Sequence, residues 1–188
     1  TLMDKKELSE KKVDSVIELF SNDKISEALD SIELLIKDHP NESILFNIRG
    51  ACYAALNQSE EAIKNYKDAL AIKPDYSDAS YNLGNALKSL GYLEEAVKSY
   101  KRTIAIEPNY HAAQHNLGVT LQELGLFNDA AEQYEEALNI YKELDANNEP
   151  YPNLNKTTIL MNIGLIHFKN DLFIKAELSF LEALKMLK

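Results

Sequence analysis

The chain has 188 residues, 45% of them hydrophobic, which suffices for one domain or one array without a second core. Its net charge of −10, from 30 Asp and Glu against 20 Lys and Arg, leaves no basic stripe to replace phosphate counterions and argues against a nucleic-acid partner. No run approaches the roughly 18 apolar residues of a membrane helix, the start lacks a signal-peptide core, and the single Cys52 excludes an intrachain disulfide framework, so a cytoplasmic protein is expected.

In chain order, residues 9–42 form a degenerate first unit that keeps only Ala28 and Pro40 of the later pattern, with Val16 where a glycine belongs. Residues 43–76 then carry Gly50, Ala62, Tyr66 and Pro74, and residues 77–110 repeat these 34 positions later as Gly84, Ala96, Tyr100 and Pro108. The next unit, 111–144, supplies Gly118, Ala130, Tyr134 and Ala137 but no proline, while in the unit before it Thr103 takes the place of the alanine that Ala137 represents. Twelve extra residues, 145–156, precede the last unit, 157–188, with Gly164, Ala176, Phe180 and Ala183. The insert contains two prolines and several turn formers and reads as a projecting loop, a tolerated insertion rather than a lip over a groove.

Within each unit two apolar stripes recur at spacings of three and four, as in Leu83, Leu87 and Leu90 followed by Ala96, Tyr100 and their neighbours. Each unit is therefore expected to be a helical hairpin whose second helix stops at a proline. Asp23, Asn57, Gly91, Gly125 and Asp171 share one place between the two helices. These residue types tolerate a left-handed backbone, so they are expected to cap the first helix of every hairpin. Glycine inside a helix costs about 1 kcal/mol against alanine, so Gly50, Gly84, Gly118 and Gly164 need a packing reason. The expectation is that they and the alanines of the second helix let the two backbones approach. Cys52 reads as a small buried apolar residue.

These residues resemble the tetratricopeptide repeat, whose pattern has Leu-Gly, Tyr or Leu, Ala, an aromatic, Ala and Pro at the same offsets. The resemblance covers nearly the whole chain, although Phe46, Ser80, Gln114 or Leu160 stands where that family prefers Trp. It implies an all-α, right-handed superhelical solenoid of antiparallel hairpins, a single array over residues 1–188, and a protein or extended peptide as partner.

In that family the first helices line a concave groove. The corresponding columns here run Asn47, Tyr81, His115, Met161; then Ile48, Asn82, Asn116, Asn162; then Ala51, Asn85, Val119, Leu165; and farther on Lys88, Gln122 and Phe168. Three successive units thus present an asparagine at one offset, similar to the asparagine ladder in the repeats of O-linked N-acetylglucosamine transferases. A ladder of amides can pair with the N–H and C=O of an extended peptide whatever its side chains. The peptide-binding set expected from this is Asn47, Tyr81, Asn82, Asn85, Lys88, His115, Asn116, Gln122, Met161 and Asn162. The family's other well-known groove, a basic clamp for C-terminal carboxylates, lacks its cations here.

His111 and His115 have the spacing of a helical metal pair, but no third ligand or glutamate partner accompanies them, so no metal is expected. No phosphate loop, serine elbow or cofactor motif is present, and the chain reads as non-enzymatic. Acidic residues such as Glu60, Glu61, Glu94 and Glu95 read as a solvated outer surface. The last helix has no polar capping helix behind it, so Ile174, Leu178, Leu181 and Leu184 leave apolar surface open. That surface points either to self-association through the C-terminal helix or to a longer protein. In the longer protein the array would be the recruiting arm of an enzyme such as a bacterial glycosyltransferase or sulfotransferase.

Overall fold

A computed structural model describes residues 2–147 and 156–186. They form ten α-helices and no strand: α1 (Leu2–Ser21), α2 (Ile25–Asp38), α3 (Ser43–Ala55), α4 (Ser59–Ile72), α5 (Ser77–Ser89), α6 (Leu93–Ile106), α7 (His111–Glu123), α8 (Phe127–Asn147), α9 (Lys156–Lys169) and α10 (Phe173–Lys185). None of these helices is long and apolar enough to cross a membrane. The chain divides into two compact units, Thr1–Tyr92 with α1 to α5 and Leu93–Lys188 with α6 to α10.

The cap residues behave alike wherever they occur. Asp23, Asn57 and Asp171 have φ of 60°, 59° and 58°, and Gly91 and Gly125 have φ of 79° and 78°. In each case the cap N–H bonds a carbonyl three residues back, and the next N–H bonds one five residues back. Asn57 to Ala54 at 3.0 Å with Gln58 to Tyr53 at 2.9 Å, and Gly125 to Gln122 at 3.0 Å with Leu126 to Leu121 at 2.9 Å, are two examples. This double bond closes the orphan carbonyls of the first helix and turns the chain into the second.

In the first unit, Val13, Val16, Ile25, Ala28, Ile32 and Leu35 of the first hairpin join Leu45, Ile48 and Cys52 of α3 in one core. The first helix of one hairpin thus closes the open side of the hairpin before it. In addition α3 touches α5 and α1 touches α3, so first helices meet one another as well as their own partners. In the second unit each helix from α6 to α10 packs on the next in sequence, with Tyr100, Tyr134, Ile159, Leu160 and Ile166 fully buried.

The helical glycines serve a different neighbour from the one expected. A Cβ on Gly50 would stand 2.6 Å from the Tyr66 ring, on Gly118 2.7 Å from the Tyr134 ring, and on Gly164 2.5 Å from the Phe180 ring. Each of these three glycines therefore makes room for the aromatic ring that the second helix turns toward it. The first hairpin solves the same problem with Val16 opposite Ile32, both fully buried: a larger residue on one side and a smaller one on the other.

Two boundaries differ from the sequence reading. Helix α1 begins seven residues before residue 9, and α8 runs to Asn147, into the insert expected to begin at residue 145. The reason for the second is that Lys142 stands where Pro74 and Pro108 follow α4 and α6, so nothing halts the helix. Asp145, Ala146 and Asn147, read as loop, are therefore the end of α8. Residues 148–155, on which the rest of that loop reading falls, lie outside the described residues.

Candidate functional site

The exposed stripe of the first helices is set by the core behind it. In α3, Leu45, Ile48 and Cys52 face inward, which turns Asn47 and Ala51 toward the opposite side; in α5, Ala79, Leu83 and Leu87 do the same for Tyr81, Asn82, Asn85 and Lys88. All of these stripe residues are half-buried.

In the first unit two of them meet. The Asn82 amide donates from Nδ2 to Asn47 Oδ1 at 3.1 Å, and Asn47 Nδ2 donates to the Tyr76 hydroxyl at 3.3 Å. Burial and then the Asp78 carboxylate push the Tyr76 phenol up, while the Asn47 hydrogen bond acts the other way. The chain Asn82–Asn47–Tyr76 joins α3 to α5 and fixes which way each amide points. One N–H of each amide remains outside this chain of bonds, because an amide carries two donors and two acceptors.

In the second unit the set is built around Tyr134. Its hydroxyl donates to Gln122 Oε1 at 3.4 Å and receives a hydrogen bond from the Asn162 side chain. Burial raises its phenol well above the ordinary tyrosine range. The His115 ring lies 5.9 Å from the Tyr134 ring at 54°, and its Nδ1 is 3.5 Å from Asn116 Oδ1. Helices α7 and α9 thus place His115, Gln122 and Asn162 on the Tyr134 phenol of α8. Met161 on α9 is 44% exposed beside Asn162, and Leu165 and Phe168 are also exposed along the same helix.

Six of the ten expected residues thus form two constellations, Asn47 with Asn82 and His115 with Asn116, Gln122 and Asn162. The asparagine column is half-buried on its helices, and its amides are partly engaged with neighbouring side chains. Tyr76 and Tyr134 belong to these constellations, although the sequence pattern gives Tyr76 no role and Tyr134 only its place in the repeat. For Tyr134 the signal was the period itself: a tyrosine at the Gly-facing offset has an apolar ring inside and a hydroxyl that needs a partner, whereas Tyr76 stands outside that offset. Arg49, also unremarked, donates from Nε to Asn65 Oδ1 and has its guanidinium 5.2 Å from the Phe46 ring centroid. Its charge is therefore committed inside the hairpin. His111, at the first residue of α7, has its pKa pulled down by burial. Among the described residues, no three His, Cys, Asp or Glu side chains gather as metal ligands would.

Comparison with known proteins bears on this arrangement. A family model described as "TPR repeat" matches residues 50–91 and 84–125, and one described as "Tetratricopeptide repeat" matches 112–144, so together they run without a gap through half of the chain. The peroxisomal targeting signal receptor of Candida glabrata is 36% identical over 72 residues, 38% of this chain and 12% of that receptor. The STIP1 homolog of Dictyostelium discoideum is 35% identical over 72 residues, again 38% of this chain, and 13% of its own length. The match thus spans about an eighth of each of these relatives.

Among solved structures, MamA superposes with a TM-score of 0.78 at 21% identity, covering 89% of this chain and 91% of its own. YrrB, described as a TPR protein with an unusual peptide-binding site, gives 0.74 at 18% identity over 93% and 84%. The first TPR domain of RPAP3, bound to the HSP90 peptide SRMEEVD, gives 0.60 at 27% identity over 62% and 93%. These likenesses show the fold as an all-α solenoid of helical hairpins. With the 34-residue period, the left-handed caps and the glycine–aromatic contacts observed directly, the chain belongs to the tetratricopeptide repeat family.

Proposed function

We propose that this chain is a non-catalytic scaffold that binds protein segments, gripping an extended peptide along its first helices through Asn82, Asn116 and Asn162. The observation that carries the reading is the Asn82–Asn47–Tyr76 chain on the seam of α3 and α5. Amides already oriented by a neighbour lose less side-chain entropy when a peptide arrives, and their remaining N–H and C=O groups can meet a peptide backbone. Supporting it, YrrB is described by a peptide-binding site, RPAP3 holds a peptide in its TPR domain, and the matched receptors are named for a targeting signal.

The flanking chemistry favours a peptide of low charge. Tyr81, Met161, Leu165 and Phe168 offer apolar contact, Asn85, His115 and Gln122 offer hydrogen bonding, and Lys88 is the main cation of the stripe because Arg49 is turned to Asn65 and Phe46. An acidic C-terminus would lack the charge-assisted bonds it needs. The same surface would serve if the array were the recruiting arm of a larger enzyme.

The test uses a peptide selected from a random display library and its affinity measured by fluorescence anisotropy. Asn82→Ala with Asn116→Ala should weaken binding by about tenfold or more, the order expected when two hydrogen-bonding groups are lost. Glu60→Ala with Lys64→Ala, on the outward side of α4, should leave it unchanged. Equal affinity for the Asn82/Asn116 variant and the parent would remove the ladder from the mechanism.

A further inference from the structure

The outward side of α10 breaks a rule that every other second helix keeps. Aligned on the buried Ala62, Ala96 and Ala176, its residues Ile174, Leu178 and Leu181 stand where α4 has Glu60, Lys64 and Lys67 and α6 has Glu94, Lys98 and Lys101. All six of those charged residues are exposed, although α4 has a hairpin on either side of it in sequence. The equivalent residues of α2 and α8 are polar and exposed too. These positions point away from the hairpin stack, so a following hairpin would not cover them. Only Leu184 answers to a packed position, since its counterparts Leu70 and Leu138 are buried. Ile174, Leu178 and Leu181 are 77%, 62% and 47% exposed. Three apolar side chains on a stripe otherwise given to charge mark an interaction surface.

We propose that this stripe pairs with the same stripe of a second copy of the chain, the two α10 helices lying antiparallel. The spacing 174, 178, 181, 185 is the four-three-four step of a helix–helix seam. When Leu178 meets the partner's Leu181, the symmetry of the pair repeats that contact, and Ile174 lies along the aliphatic stem of the partner's Lys185. In this register Lys175 falls opposite the partner's Glu182, twice over. Parallel pairing would instead bring Glu177 against the partner's Glu182, a like-charge contact. The charges flanking the stripe therefore select a self-complementary antiparallel pair. The seam is short, so association is weak and concentration-dependent.

Sedimentation velocity of the whole chain, from about 10 μM to about 1 mM, reads this directly. The expected result is a monomer–dimer equilibrium. Giving α10 the outward residues of α4, Ile174→Glu with Leu178→Lys and Leu181→Lys, should leave helicity intact and abolish the dimer. Lys175→Glu alone should weaken it by about tenfold, and Lys175→Glu with Glu182→Lys should restore it. A single-chain mass throughout the range would overturn the proposal, as would a dimer that survives the triple substitution. If the triple variant fails to fold, the Lys175/Glu182 pair decides alone: no weakening, or no restoration, removes the antiparallel pair.

Discussion

A glycine at position 50 is explained by the ring of Tyr66, which occupies the volume that any side chain there would need. The same geometry recurs at Gly118 with Tyr134 and at Gly164 with Phe180, while Val16 and Ile32 divide the volume the other way. The two solutions should therefore be interchangeable only as pairs. Gly50→Val is expected to cost about 3 kcal/mol by forcing the ring aside, and Tyr66→Ile about 3 kcal/mol by leaving a void. Made together they should cost at least about 1 kcal/mol less than the sum, because each change accommodates the other. Urea unfolding of the parent, both single variants and the double closes the cycle, and strict additivity would show that the two sites do not share this space. Buried polar residues at neighbouring positions are satisfied locally: Thr103, which replaces an alanine of the pattern, donates to Ser99 O at 3.0 Å, and Thr120 donates to Asn116 O at 2.6 Å.

At the level of the element, the hairpin depends on one residue with positive φ between its two helices, and the sequence supplies three chemical versions of it. Asp23, Asn57 and Asp171 hold the left-handed conformation at a cost that Gly91 and Gly125 do not incur. Asp23→Gly and Asn57→Gly should each stabilise the fold by about 0.5 to 1 kcal/mol, seen as a rise in thermal midpoint. Gly91→Ala should lose a similar amount even though no atom beyond its chain neighbours lies within 4 Å of the new Cβ, so the cost comes from the local backbone conformation and not from crowding by the rest of the fold. These caps were legible in the sequence because five residues of one conformational class stand at one offset. The end of α8 was not drawn correctly because the absence of a proline at residue 142 removes a stop signal without marking where the helix does end. The amide bonds of Asn47 and Asn82 were also out of reach, since a repeat offset says which residues share a stripe and not which side chains bond across helices. The outward column of α10 shows the converse: its apolar residues were legible, and only the exposure of Glu60, Lys64 and Lys67 revealed that the column faces away from the stack.

Across the whole molecule the recurrent Gly-facing tyrosine ties stability to alkaline pH. Tyr66 and Tyr134 are 2% and 0% exposed, and burial raises both phenols well above their ordinary value of 10.0. An acid whose folded pKa is raised holds its proton in the folded state after the unfolded chain has released it. Its contribution is therefore complete below about pH 10 and is lost as pH climbs from there toward the folded value. Each such tyrosine removes about 1.4 kcal/mol per pH unit within that window. Lysine deprotonation over the same range changes the charge balance of an already acidic chain and adds its own background slope. The tyrosine part is isolated by Tyr66→Phe with Tyr134→Phe, a ring the last hairpin already uses at Phe180. Removing the Tyr134 hydroxyl also releases its bonds with Gln122 and Asn162, which lowers stability at every pH and leaves the slope as the diagnostic quantity. Urea midpoints measured from about pH 8 to about pH 11 should fall steeply above pH 10 in the parent and clearly less in the variant. Parallel curves would mean that the two buried phenols ionise in the folded state as readily as in the unfolded one, and tyrosinate absorbance recorded on the native protein would then rise before the helical signal is lost.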